Sequence, residues 1–320
     1  RTGDSWKGTA PVMKYHRFEE VNVVVADSMP ASRDIIKNCL SDIGIRKISF
    51  CEDITETRDH LQNNKADLLI CDAYLAERES AHLIRELRDM QQNGDPFLPI
   101  VTLTWQPTIE VIHSIVNAGT DLILTLPMSV GKLQNAVEVL IERRKPFVVT
   151  STYIGPDRRK EARPDAEEVP QIMVPNPLRY QVTGDDGGVN GIEVMKTIRE
   201  QRVERSAARI THTVGALVST AKVRNSVDIG RLISELQFTA NDLHDRIGDT
   251  RYAHQKALSE SLLDVANKIA ETGNIGESDL ELLPQLALAL ERAMAHDDEN
   301  SVEAALDISR AVRKLPAAAE

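Results

Sequence analysis

Between residues 21 and 144 the chain alternates between two hydrophobic rhythms. Short, nearly continuous apolar runs at Val21–Ala26, Lys47–Cys51, Leu68–Cys71, Ile100–Leu103 and Leu122–Leu124 have the length and β-branched content of strands. Between them, apolar positions recur every three or four residues near 30–42, 54–63, 79–92, 108–118 and 129–144, which is a helical period. Strands alternating with helices predict a parallel sheet covered on both faces. The strands also lack polar alternation, as expected when both of their faces are buried.

Beyond Lys145 the pattern breaks. Residues 145–191 carry several prolines and glycines, so an extended linker is expected there. Its basic stretch GPDRRKEAR (Gly155 to Arg163) has the charge to bind an anion, but the preferred reading is solvated chain packing back on the first domain or on a partner. GDDGGVNG (Gly184 to Gly191) lacks the Lys-Ser/Thr of a phosphate loop and reads as flexible. From Ile192 the period is helical again. Ile229, Leu232, Leu236, Ala240, Leu243 and Ile247, continued by Leu258, Leu262, Val265 and Ile269, form one apolar stripe. It belongs to one long helix, or to two joined near Gly248–Tyr252. SDLE (Ser278 to Glu281) and NSVE (Asn300 to Glu303) resemble capping boxes that start helices, and Pro284 kinks the first or resets its start. The expected organisation is an N-terminal extension (1–20), an α/β domain (21–144), the linker (145–191) and an all-α bundle of about four helices (192–320).

Composition narrows the function classes. Hydrophobic residues make up 42% of the 320, enough for proper cores, and the net charge of −11 argues against a general nucleic-acid binder. Cys39, Cys51 and Cys71 form no CxxC or Cys/His cluster, so reduced, buried thiols are expected. No apolar run reaches the roughly 18 residues of a membrane span, and the polar first 20 residues do not resemble a secretory signal. A cytoplasmic protein without membrane insertion is the expectation.

Chemistry in doubly wound sheets gathers at the carboxyl ends of the strands. There this chain places Asp27 (in VVVADSMPASR), Asp72 (in ADLLICDAYL) and Thr104 (in PIVTLTW), with Leu126-Pro127 following the fifth strand (in NAGTDLILTLPMS). Four such motifs in this order resemble the receiver domain of bacterial response regulators, over about residues 21–144. The resemblance implies a five-stranded, flavodoxin-like parallel sheet that accepts a phosphoryl group from a phosphohistidine. It would make Asp72 the acceptor and Thr104 the switch hydroxyl, with Asp27 and Asp72 as ligands of Mg²⁺.

The sequence departs from the family pattern at three positions. Ser28 stands where the family has a second acid, which weakens the metal site. Leu126 stands where it has a lysine, which removes the cation beside the acceptor. Ile123 replaces the aromatic that couples to the switch. Trp105 follows Thr104 where a small residue is usual; its indole either fills the site entrance, marks a contact surface or packs on the fourth helix. That helix carries His113, which reads as a surface or half-buried residue rather than a ligand. An atypical receiver is therefore expected.

The helical region carries no enzyme motif, so no turnover of a small metabolite is expected. Its stripe suits a homodimer or the docking of a partner protein, and the resemblance implies a histidine kinase or a phosphotransfer protein upstream. A phosphotransfer relay is the alternative: HDRIG (His244 to Gly248), with Arg246 nearby, has the spacing of a phosphorylatable helix histidine, and HTVG (His212 to Gly215) fits it less well. Without a relay His244 reads as a surface residue opposite Leu243 and Ile247. A non-phosphorylated structural adaptor is the third reading.

Overall fold

The strand Leu68–Asp72 is buried along its whole length, and its side chains divide between two cores. Leu68 and Ile70 enter one apolar cluster, Leu69 and Cys71 another. That division follows from the two-residue period of a strand, and it forces helices onto both faces. The computed structural model describes residues 17–76, 78–90, 94–159, 169–223, 226–273 and 275–295. The Asn300–Glu303 capping box lies outside them.

The chain order is β1 (Asn22–Ala26), α1 (Pro30–Ile43), β2 (Lys47–Cys51), α2 (Ile54–Asn63) and β3 (Leu68–Asp72). A hairpin of β4 (Tyr74–Leu75) and β5 (Arg78–Glu79) precedes α3 (Ala81–Arg88). Then come β6 (Ile100–Thr104), α4 (Ile109–Ala118), β7 (Leu122–Thr125) and α5 (Val130–Glu142). The main sheet has the order β2-β1-β3-β6-β7, parallel throughout. Residues α1 and α5 contribute pack with Leu68 and Ile70, while those of α2 and α3 pack with Leu69 and Cys71. The doubly wound parallel sheet expected from the pattern is what the chain forms.

Local chemistry sets the helix ends. Pro30 supplies a preset φ at the first turn of α1. Asp53, Thr108 and Ser129 cap α2, α4 and α5 by accepting amide hydrogens from Glu56, Val111 and Lys132. Gly119 ends α4 at φ +104°, and a Cβ there would approach Arg88 Cγ and the Ile154 carbonyl to 3.0 Å. The helix expected over 79–92 is shorter, because the hairpin takes its first residues and Met90 adopts a positive φ of 59°.

The region 145–191 is more structured than an extended linker. It holds β8 (Phe147–Val149), β9 (Ile154–Pro156) and α6 (Pro177–Thr183). Phe147 is fully buried, and Leu178 and Val182 join the apolar cluster under α1 and α5. Its prolines hide these contacts from a periodicity reading, because each apolar anchor sits singly between breakers. Phe18 in the expected N-terminal extension is likewise buried in that cluster.

The second unit consists of α7 (Gly191–Val223), α8 (Ser226–Ile247), α9 (Lys256–Thr272) and α10 (Glu277–Ala295). The apolar stripe is on two helices, and Leu236, Leu243, Ile247, Leu258, Leu262 and Ile269 are all buried in one core. Pro284 lies inside α10 rather than at its start. No helix among the described residues is long and apolar enough to cross a membrane.

Candidate functional site

Register brings the candidate residues together. Ala26 pairs with Cys71 and Asp72 with Leu103, so Asp27, Asp72 and Thr104 end three adjacent strands on one edge of the sheet. Each then makes the same local turn. Asp27 Oδ1 accepts the Met29 amide hydrogen at 2.7 Å, Asp72 Oδ1 that of Tyr74 at 2.9 Å, and Thr104 Oγ1 that of Gln106 at 3.2 Å. Such two-residue side-chain turns fix rotamers where the backbone leaves the sheet.

One oxygen of each carboxylate is thereby occupied and the other left over. Asp27 Oδ2 is buried and has no hydrogen-bond partner. Asp72 is 8% exposed, so a small group can still reach it. The Thr104 hydroxyl accepts from Gln106, which leaves its own proton to donate.

Electrostatics at Asp72 favour the protonated carboxyl. Burial pushes its pKa up, the nearby charge of Asp27 pushes it further, and only the Tyr74 amide opposes them. Among the described residues no cation contributes. Leu126, at the position where the resemblance expects a lysine, is 7% exposed and packs in the apolar cluster with Leu103, Met128 and Leu133. Ser28 and Ile123 are half-buried.

The remaining candidates divide. Trp105 is 44% exposed, so it does not pack fully onto α4. Together with exposed Met29, Tyr74 and Ile109 it belongs to the segments that follow the strand ends: a loop, the start of β4 and two helix starts. His113 is exposed, as expected, and so is His212. His244 is half-buried and its Nδ1 lies 3.2 Å from Ser259 Oγ on α9, which corrects its placement opposite the apolar face. Arg246 is not at hand for an anion, because it donates to Asp242 at 2.8 Å. The cysteines are free and buried, and burial pushes the Cys71 thiol up to about 11.

Sequence reasoning missed a buried ionic node at the opposite end of β6 and β7. Arg88 donates to the carbonyls of Gly119, Pro96 and Leu98 and to Asp121, and Arg144 donates to the same carboxylate. Both guanidinium groups lie about 5 Å from the Phe147 ring centroid, at 5.1 and 5.2 Å. An arginine at the end of the apolar face of α3 was the available signal.

Two carboxylates with an orphaned oxygen suit a hard divalent cation, which takes oxygen ligands and keeps several waters. The fit is sparse, since among the described residues no cluster of three or more His, Cys, Asp or Glu could enclose a metal.

Comparison with known proteins agrees with this geometry. The family model described as response regulator receiver domain matches residues 23–138. The chain is 23% identical to the sensory/regulatory protein RpfC of Xanthomonas campestris over 138 residues, covering 43% of this chain and only 19% of that protein. It is 25% identical to the response regulator Rre1 of Synechocystis over 248 residues, covering 76% of this chain and 99% of Rre1. Among solved structures it is similar to the receiver domain of a Pseudomonas aeruginosa sensor histidine kinase, whose structure has magnesium coordinated in the active-site cleft. That similarity has 20% identity and a TM-score of 0.34, and covers 36% of this chain and 93% of that one.

Proposed function

With residues 23–138 a response regulator receiver domain in two-component signalling, we propose that it is an atypical one, slow to take a phosphoryl group on Asp72. Its signal passes through protein–protein contacts. The observation that carries this reading is Leu126: an apolar side chain packed into the core occupies the place of the cation that would steady a phosphoryl group on Asp72. Phosphoryl transfer depends on positioning and charge neutralisation, so a site without that cation should be slow.

Asp27 and Asp72 would hold Mg²⁺, and Ser28 weakens the grip because a neutral hydroxyl is a poorer ligand than a carboxylate. When bound, the ion would neutralise the oxygens of the incoming phosphoryl group. The free oxygen of Asp72 attacks phosphorus as the donor's bond to phosphorus breaks; the donor's imidazole nitrogen leaves with that electron pair, and the Thr104 hydroxyl donates a hydrogen bond to the resulting acyl phosphate. The helical region then serves as the partner-binding or dimerisation module, through its outer surface, since its two-helix apolar stripe is buried within the bundle. The donor fits a histidine kinase or phosphotransfer protein. The location is cytoplasmic.

The test is incubation of the full chain with acetyl phosphate and Mg²⁺, followed by intact mass. A slowly formed, substoichiometric adduct of a single phosphoryl group, lost in Asp72→Ala, is expected. Rapid and complete modification would overturn the atypical reading.

A further inference from the structure

We propose that His244, in the helical unit, is a phosphoryl-carrying site whose reactive atom is Nε2. The inference rests on where two protons sit. Ser259 is buried, and its hydroxyl donates to the Lys256 carbonyl at 2.8 Å. A serine hydroxyl has one hydrogen to give, and it is spent there. The 3.2 Å contact between Ser259 Oγ and His244 Nδ1 therefore has to be donated by the imidazole. The neutral ring carries its proton on Nδ1, and Nε2 keeps the lone pair.

A free imidazole divides its proton between both nitrogens, so a hydroxyl that holds it on one side raises the fraction of nucleophilic Nε2. Among the described residues no hydrogen bond reaches Nε2. The next turn of the chain is also open, since a Cβ built on Gly248 would meet nothing within 4 Å. A phosphoryl donor has room to approach there. Arg202 and Arg246 are both engaged by Asp242, so they fix the helices around the site instead of binding the anion.

The chemistry balances without a further reactant. The Nε2 lone pair attacks phosphorus and an N–P bond forms. The donor's bond to phosphorus breaks, and its leaving group departs with that electron pair. The ring proton stays on Nδ1, against Ser259. The ligand class is an activated phosphoryl group, carried on nitrogen or as an acyl phosphate.

Phosphoramidate labels histidine directly, so it tests His244 whatever Asp72 does. The full chain is treated with it, and alkali-stable, acid-labile phosphate is mapped by peptide mass. His244 is expected to label about fivefold faster than exposed His113 and His212, a preference that one hydrogen bond can supply. Ser259→Ala should bring it down to their rate. Equal labelling in the unaltered chain, or a preference that survives Ser259→Ala, would overturn the proposal. The imidazole nitrogen spectrum of the unaltered chain gives a second measurement that does not depend on the variant folding. A proton found on Nε2 instead of Nδ1 removes the basis of the inference.

Discussion

The amide of Leu126 donates to the carbonyl of Thr104 at 2.9 Å. The residue in the lysine position is thus tied by its backbone to the strand end that carries the switch hydroxyl, while its side chain turns into the apolar core. The backbone at the strand end next to Thr104 is ordered, and the side chain at the position where the resemblance expects a cation is apolar and buried.

Leu126→Lys should accordingly trade stability for chemistry. A lysine at a site 7% exposed must extend toward Asp72 or bury its charge, and the apolar contacts of Leu126 are lost either way. A cost of about 2 kcal/mol is expected, readable as a lower urea midpoint with an unchanged slope. The acetyl phosphate reaction should become faster. A variant that loses stability without gaining rate would mean that this position does not control the chemistry.

Asp72 should make stability fall as pH rises. Its folded pKa is raised by burial and by Asp27, so the folded state binds the proton more tightly than the unfolded chain. By linkage the slope of unfolding free energy with pH is then negative between the unfolded carboxyl pKa of about 3.9 and the higher folded value. Above that window the ionised carboxylate is a standing cost. Asp72→Asn, which mimics the protonated form, should melt higher than the unaltered chain at pH 7 and lose that advantage near pH 4. Added Mg²⁺ should raise the melting temperature of the unaltered chain more than that of the variant. Parallel melting curves at both pH values would contradict the site's electrostatics.

Arg88→Leu removes a guanidinium that serves three carbonyls and Asp121 in a fully buried position. Breaking a buried pair from one side costs about 3–5 kcal/mol, because the partner groups stay buried without their donor. Arg144 still engages Asp121, so the lower end is expected. Denaturant unfolding of the full chain, followed by circular dichroism, measures it. A loss below about 1 kcal/mol would show that Arg144 alone satisfies the node.

Leu178→Ala tests whether α6 belongs to the α/β unit. Leu178 is fully buried in the cluster with Leu140, Ile141 and Val21, and truncation should cost about 2–5 kcal/mol. Hydrogen exchange should speed up in β1 and α5 peptides of the full chain. Unchanged protection there would return residues 177–183 to the status of a linker.

The strands and helices of residues 21–144 were legible because each strand is buried on two faces and each helix on one, so burial is written as an apolar period. The candidate site was legible for a related reason. A lone polar residue at the end of an apolar run, as at Asp27, Asp72 and Thr104, has to sit at a strand end. What stayed hidden is contact between residues that no period connects. Arg88, Asp121, Arg144 and Phe147 span 60 residues and meet only because β6 and β7 are neighbours. Phe147 and Leu178 are single apolar residues among prolines, and nothing local distinguishes a buried one from an exposed one.

By itself, then, the sequence determined the alternating α/β pattern, the helical region after residue 191 and the apolar residue at position 126, since these depend on residue type and spacing along one chain. Only the tertiary structure decided that Asp72 keeps company with an orphaned carboxylate oxygen and, among the described residues, no positive charge, and that His244 turns toward Ser259. Those facts depend on which side chains share a few ångströms of space, and the strength of a charge or a hydrogen bond is set by that distance and by the water excluded from it.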